Sequence, residues 1–474
     1  MDSRISARML SAALGGWRTR EPAYEALADG IRLLCLDNRL APRTALPAER
    51  ELAASLGLSR TTVAAAYRSL RDSAHIESTR GSGSVTLPLR REDPGKASSI
   101  EGTIDLQQAS PPAWPGLTGV FADVASSAAA LVSRVGYDVI GRHDLREAIA
   151  DHYAQRGIPT VASEILVTTG AQSAIHLLAS VLLGRGDRVL IETPTYPHAA
   201  DALRRAGARL VGVPVTTEDG WDIDRAEQAF ARTLPVLAYL MPDFQNPTGR
   251  SMSAYERDSL VRAGERIGAI LLVDETTADL DIDRLAAPPA IVAEDPTTIV
   301  RIGSLGKTVW GGLRVGWIRA ESDLIRRLTA ARSTQDLGTP EFEQAVAAAL
   351  FPLMPEIVVQ RSHLLRQGRD ALTAALSLRL PEWSVPCTAG GVSLWVGLDA
   401  PLSASLVMEA RSRGLLLSAG PRFSVDGGHD RHLRIPFTAP PEELVRAADV
   451  LAEAWPRVRA GAPLTMVDHV EALV

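Results

Sequence analysis

The sequence predicts a multidomain α/β protein: a small helical module with a β-hairpin, followed by a body built on a mixed, mostly parallel sheet. Three observations predict it. The 474 residues exceed one ordinary domain and suggest two or three. Helical apolar periods fill residues 22–87 and stop at Leu89–Gly102, a stretch rich in charge, Pro, Gly and Ser with no apolar period. From Ile104 onward, strand-like runs alternate with helical patterns, which implies parallel strands covered by helices.

The first helix is expected over Ala23–Leu36, with Leu27, Ile31, Leu34 and Cys35 on one apolar stripe. The second begins after Pro47, read as an N1 proline, carries Arg50, Leu52, Ala53 and Leu56, and stops at Gly57. Ser59 caps a third, Arg60–Ala74, whose Val63, Tyr67 and Leu70 face inward. Ile76–Thr79 and Ser84–Leu87 alternate around Gly81-Ser82-Gly83, the pattern of a hairpin. Residues 1–88 are therefore expected to form one domain, 89–103 a linker and 104–474 the body. The body's expected strands are Ile165–Thr169, Arg188–Ile191, Arg209–Val213, Val236–Met241, Ala269–Val273 and Thr298–Ile302. After about Pro352 the pattern turns to helices with short strands, Gly391–Val396 and His432–Phe437, which suggests a smaller α+β subdomain over 352–474.

Composition narrows the class. With 46% hydrophobic residues the chain can fill a large core. It has no run of about 18 uncharged apolar residues and no charged-then-apolar leader, so a cytoplasmic protein without a membrane partner is expected. Cys35 and Cys387 form no CxxC pair, which argues against a metal site or a disulfide framework. Residues 1–90 hold 13 Arg against 9 Asp and Glu, a net +4; the remaining 37 basic and 47 acidic residues make −10. A basic front on an acidic body suits a nucleic-acid module joined to an enzyme-like one.

In a helix-turn-helix the second helix enters the major groove with its first residues at the base edges. Here that helix opens Ser59-Arg60-Thr61-Thr62. Arg60 can read guanine or grip phosphate, and Thr61 and Thr62 suit phosphate oxygens or a thymine methyl. Arg50 on the preceding helix and Arg80-Gly81 at the hairpin tip could add contacts. A helical adaptor with solvated arginines is the rival reading. The string LPAERELAASLGLSRTTVAAAYRSLRDSAHIESTRGSGSV resembles the GntR family of winged helix-turn-helix regulators across residues 23–87. The resemblance implies double-stranded operator DNA as partner, contacted by Arg50, Arg60, Thr61, Thr62, Arg80 and Gly81. The chain departs from it at Asn38–Arg43, where the family usually has glycines, and at Ala64 and Ala74-His75.

Lysine usage points into the body. Of 50 basic residues only Lys96 and Lys307 are lysines. Lys96 lies in the Pro/Gly/Ser-rich stretch; Lys307 follows a strand in Ser304-Leu305-Gly306-Lys307, with Arg314 seven residues on. Arginine stays protonated and cannot form an imine, whereas a desolvated lysine can lose its proton. Four further strings stand in order before it. Thr168-Thr169-Gly170-Ala171-Gln172 opens a helix whose N–H groups could bind phosphate, although an ordinary strand–helix turn reads the same. Tyr196 follows a strand, where a ring could cover a flat ligand or merely pack. Asn246 sits in Asp243–Gly249 beyond a strand's C-terminal end, where ligands gather on open sheets. Asp274 ends a buried strand and could cap a helix or hold a ring nitrogen protonated.

An amine, a ring-facing carboxylate, phosphate donors, a partner for a phenolic oxygen and a flat cover are what pyridoxal 5′-phosphate (PLP) demands. Over about residues 104–460 the strings resemble the fold type I aminotransferases, and the whole chain resembles the MocR subfamily of GntR regulators, which joins the two modules. The resemblance implies catalytic roles for Lys307, as the Schiff-base lysine, and for Asp274, at the pyridine nitrogen. It puts Asn246 at the phenolic oxygen, Tyr196 over the ring, and Ala171, Gln172, Ser304 and Arg314 on the phosphate. Arg434, in His432–Phe437, would grip an amino acid's carboxylate, and Tyr137 would reach a partner subunit's site in a homodimer. Where the subfamily usually reads Asp-Asp-Tyr, this chain has Asp274-Glu275-Thr276, so Thr276 replaces the tyrosine that assists Asn246. The expected function is a regulator that senses PLP or an amine or amino-acid effector through an aldimine at Lys307. The alternatives are an active aminotransferase with an accessory DNA-binding module and a regulator with a cofactor-free body.

Overall fold

The computed structural model describes residues 3–15, 17–18, 22–37, 39–79, 83–88, 103–133, 135–284 and 289–461. The chain opens with β1 (Ser3–Arg4), α1 (Ala7–Leu14), α2 (Ala23–Leu36), β2 (Thr44–Ala45), α3 (Glu49–Leu56), α4 (Arg60–Asp72), β3 (Ile76–Thr79) and β4 (Gly83–Thr86). The strands form one sheet in the order β1-β2-β4-β3. Leu27, Ile31, Leu34, Val63, Tyr67 and Leu70 share a core, to which α1 adds Leu10 and Leu14. Ser59 caps α4 as expected, accepting from Thr62 N at 3.1 Å. Gly57 ends α3 in the left-handed region that glycine tolerates, φ 65°.

Three expectations need correction here. Pro47 is not at N1: Ala48 is the N-cap of α3, and Pro47 lies outside the helix, its carbonyl accepting from the buried Tyr67 hydroxyl at 2.9 Å. The third helix ends at Asp72, short of Ala74, which takes φ 53°. The sequence reading also left residues before 22 unassigned, yet β1 and α1 belong to this module. An eight-residue helix is too short to announce itself; it forms because Leu10 and Leu14 are buried against its neighbours. The expected linker, residues 89–102, and the hairpin tip Arg80-Gly81 lie outside the described residues.

After β5 (Ile104–Asp105) the body builds an eight-stranded sheet from β6 (Ile165–Thr168), β7 (Arg188–Thr193), β8 (Arg209–Thr216), β9 (Gly220–Trp221), β10 (Leu237–Leu240), β11 (Ile270–Asp274), β12 (Ile299–Ser304) and β13 (Gly316–Arg319). Its order is β6-β13-β12-β11-β10-β7-β8-β9. The strands from β12 through β8 are parallel to one another, while β13 runs antiparallel between β12 and β6 and β9 antiparallel to β8. Val189, Ile191, Leu237, Tyr239 and Leu272 enter one core; Leu190, Ala238, Leu240, Leu271 and Val273 enter another. Both faces are covered, so these strands read as unbroken apolar runs instead of alternating ones.

Beyond residue 350 a second layer carries β14 (Ser393–Gly397), β15 (Leu415–Leu416), β16 (Ser418–Ala419) and β17 (His432–Pro436). Its sheet runs β14-β17-β16, and β15 pairs in parallel with β5. The helices Met354–Arg379 and Pro441–Arg459 complete its core. The helical stretch 341–379 is long and apolar enough to cross a membrane by length and composition, and its Ile357, Leu365, Leu372 and Leu376 are packed in the body's cores. The N-terminal module rests on this layer. Leu33 of α2 joins the layer's core, Ser405 Oγ lies 3.2 Å from Asp29 Oδ2, and Gly15 packs against Gly427 so closely that a Cβ would come within 2.6 Å of it.

Candidate functional site

A cavity of about 600 Å³ lies where β10, β11 and β12 end, between the sheet and the C-terminal layer. Parallel strands bring their C-terminal loops to one edge, so residues far apart in sequence meet there.

Asp274, the last residue of β11, is buried and hydrogen-bonded through both oxygens. Its Oδ1 accepts from Thr276 N at 3.0 Å and Thr276 Oγ1 at 2.6 Å; its Oδ2 accepts from the Tyr239 hydroxyl at 2.6 Å. Burial pushes its carboxyl above the ordinary value, and the Thr276 and Tyr239 hydrogen bonds oppose that. Lys307 follows β12, and its Nζ donates to the Ala109 carbonyl. Burial, with help from Arg434, lowers its amine to about 8, against the opposing pull of Asp274. A neutral amine is therefore within reach at physiological pH.

At the next wall, Gly170 (φ 85°) leads into the helix Ala171–Leu182, whose N-terminus has no side-chain cap, so its first N–H groups can serve an anion. The Arg314 guanidinium packs against Gly170, 2.7 Å from where a Cβ would stand, and the φ of 85° itself favours glycine there. Arg314 Nη2 donates to Thr169 O at 2.9 Å, and Ser304 Oγ accepts from Gly306 N at 3.0 Å. Asn246 is held by its neighbour Gln245, whose Nε2 donates to Pro194 O at 2.7 Å and to Glu192 Oε2 at 3.1 Å. Glu192 is itself buried and raised to about 8 by desolvation. Tyr196 follows β7, its hydroxyl 3.2 Å from His198 Nδ1. Arg434 of β17 is buried beside the Phe423 ring, 4.8 Å from its centroid, and donates to the Gln107 carbonyl.

The cavity thus brings together Lys307, Asp274, Asn246, Tyr196, Ala171, Gln172, Ser304, Arg314, Thr276 and Arg434. Tyr137 is not among its lining residues and is 73% exposed. Arg50, Arg60 and Thr61 are exposed on the N-terminal module. Arg60 Nε lies 3.6 Å from Glu49 Oε2, and the hydroxyls of Thr61 and Thr62 lie 2.7 and 2.8 Å from Ser59 Oγ. The Thr276 hydroxyl donates to Asp274, because residue 276 folds back over the carboxylate two positions earlier. Sequence reading missed Tyr239, Glu192 and Asp37. A tyrosine in an aliphatic run needs a hydroxyl partner, which could have flagged Tyr239; nothing in the sequence flags Asp37.

Residues 128–451 match the family model of aminotransferase class I and II. The chain belongs to that family. Residues 23–85 match the gntR family of bacterial regulatory proteins, and the fusion is that of the MocR-like GntR subfamily. An uncharacterized HTH-type transcriptional regulator of Bacillus subtilis, YdfD, is 26% identical over 81% of this chain and 86% of its own. The probable rhizopine catabolism regulatory protein MocR of Rhizobium meliloti is 30% identical over 63% of this chain and 65% of its own. Among solved structures, LysN, the α-aminoadipate aminotransferase of Thermus thermophilus, superposes with a TM-score of 0.70 at 27% identity, covering 77% of this chain and 96% of that one. That crystal holds N-(5′-phosphopyridoxyl)-L-leucine.

The aminotransferase cavity of this chain fits PLP, the cofactor of this fold. Arg434 Nε is buried beside it with no hydrogen-bond partner among the described residues, a donor left for an anionic group. The Gly170–Arg314 cradle suits a phosphate, and Asp274 Oδ2 has a lone pair left for a ring N–H.

Proposed function

We propose that the chain is a cytoplasmic transcription regulator that binds PLP at Lys307 and senses PLP, or an amine or amino-acid effector, in the same cavity. The observation that carries this reading is that Lys307 and the buried Asp274 line one cavity in a chain that also matches a DNA-binding family. When bound, PLP supplies an aldehyde that condenses with a primary amine and a ring that draws electrons from it. The chain supplies the rest. Lys307 offers the amine, Asp274 holds a proton at the ring nitrogen, and Asn246 donates to the phenolic oxygen. Tyr196 covers the ring; Ala171, Gln172, Ser304 and Arg314 bind phosphate; Arg434 takes an effector's carboxylate.

In the same reading residues 1–88 bind operator DNA through Arg50, Arg60, Thr61, Thr62, Arg80 and Gly81. Exposed Val132, Val135 and Tyr137 support a homodimer whose two modules meet a two-fold DNA site. The alternative is a working aminotransferase, in which Arg434 would hold a substrate's carboxylate in the same way. Steady conversion of an amino acid to its oxo acid would select that alternative.

Borohydride treatment of the holoprotein tests the central claim. It should add the cofactor's mass to the peptide holding Lys307 and not to the one holding Lys96, and Lys307→Ala should abolish the addition. Labelling at Lys96 would overturn the assignment.

A further inference from the structure

Asp37 belongs to the DNA-binding module, as the residue that ends α2, yet it lines the cavity that holds Lys307. It is 5% exposed, and its Oδ2 is buried without a hydrogen-bond partner among the described residues. The charges that act on it are Arg422, Arg39, Asp201 and Arg411. Arg422 and Arg39 have partners elsewhere. Arg422 holds Asp201 Oδ2 with both terminal nitrogens at 3.2 Å, and Arg39 Nη2 donates to the Ala13 carbonyl at 3.1 Å. Burial raises the Asp37 carboxyl to about 6 despite these arginines. Leaving a buried carboxylate unsatisfied is costly, and a ligand that satisfies it recovers that cost on binding.

Across the same cavity Arg434 keeps a buried Nε without a partner. The cavity therefore offers an unused cation from the body and an unused carboxylate from the DNA-binding module. A ligand complementary to both has an anionic end and a cationic end. A hydroxyl or amide end would give Asp37 a neutral donor, whereas an ammonium would make a charge-assisted hydrogen bond, about twice as strong.

We propose that Asp37 is an effector-contacting residue supplied by the DNA-binding module, receiving the distal ammonium of a diamino acid whose carboxylate rests on Arg434. This rests on the proposed reading of the cavity as a PLP and effector site. It also gives the ligand a direct hold on the module. Arg32 of α2 bonds Asp29 Oδ1 and Ser69 Oγ, each at 2.7 Å, and Ser69 lies on α4, the helix that opens with Arg60, Thr61 and Thr62. A ligand that grips Asp37 thus pulls on the helix packed against the DNA-reading one, and linkage makes the coupling reciprocal.

The full-length holoprotein tests this by titrating its visible cofactor band with L-ornithine and with L-norvaline, which has the same carbon chain but no terminal amine. Ornithine should bind about tenfold tighter or better, and Asp37→Asn should bring the ratio near one while norvaline still shifts the band. Equal affinities in the wild type would overturn the proposal and leave the PLP reading standing. So would a preference that survives Asp37→Asn, or a variant that loses both ligands alike, which would make Asp37 structural. Absence of any band fixed at Lys307 would overturn the PLP reading itself and this proposal with it.

Discussion

The carboxylates of Asp274 and Asp37 line the same cavity and are held in opposite ways. Asp274, at the end of a central strand, takes three hydrogen bonds from Thr276 and Tyr239. Asp37, arriving from the N-terminal module, keeps a buried oxygen with no partner among the described residues. Both are desolvated, and both carboxyls are raised. The difference is what each environment was built around. The Asp274 carboxylate is hydrogen-bonded before a ligand arrives; among the described residues, the buried Asp37 oxygen at the mouth is not. A preorganised group fixes geometry, whereas an unsatisfied one stores affinity.

Deleting each carboxylate should expose that contrast. Asp274→Ala strands the Tyr239 hydroxyl and the Thr276 N–H in a dry interior, so the apo-protein should lose on the order of 3 kcal/mol in urea unfolding, along with most cofactor binding. An unchanged midpoint would mean water enters freely and the site is not preorganised. Tyr239→Phe removes one of the short bonds and should cost about 1–2 kcal/mol in the same assay. Thr276→Val keeps the N–H bond and loses only the hydroxyl, for about 1 kcal/mol. At the mouth, Asp37→Asn should cost nothing within about 0.5 kcal/mol at neutral pH, or should stabilise, because no hydrogen bond is lost from Oδ2.

The pH dependence sharpens the same comparison. The Asp37 carboxyl sits at about 6 when folded, above its ordinary value of 3.8. Its contribution is present below the lower value and lost as pH rises through the higher one. Wild-type apo-protein should therefore lose stability relative to Asp37→Asn between pH 4 and about 6, and a flat difference would remove the burial argument. Arg422, Arg39, Asp201 and Arg411 face the group, so salt should shift this window. Lys307 moves the other way. With its amine at about 8, attachment of added PLP should quicken about tenfold per pH unit below that value and level off above it.

Much of the site was legible because the chemistry is demanding and the loops are local. A lysine in a chain that otherwise uses arginine, at a strand end beside Gly306, can be picked out by residue type alone. Asn246 and Asp274 follow from their place after buried strands. That Thr276 stands where the subfamily has a tyrosine is plain in the sequence; that its hydroxyl turns back onto Asp274 is decided by the fold. Tyr239 was hidden inside a strand, since a single hydroxyl barely changes an apolar run.

By itself the sequence determined the two modules, the caps at Ser59 and Gly57, the succession of the central strands along the chain and the one lysine outside the Pro/Gly/Ser-rich stretch. Each of these is encoded within a few neighbouring residues, through periodicity, turn chemistry or side-chain type. The tertiary structure alone decided that α1 forms, that β13 inserts antiparallel between β12 and β6, and that α2 lays Asp37 in the mouth of the cavity. Those outcomes depend on contacts between segments hundreds of residues apart, such as Leu33 with the C-terminal layer and Asp29 with Ser405. Such contacts are selected by the burial they achieve together, and no local pattern records them.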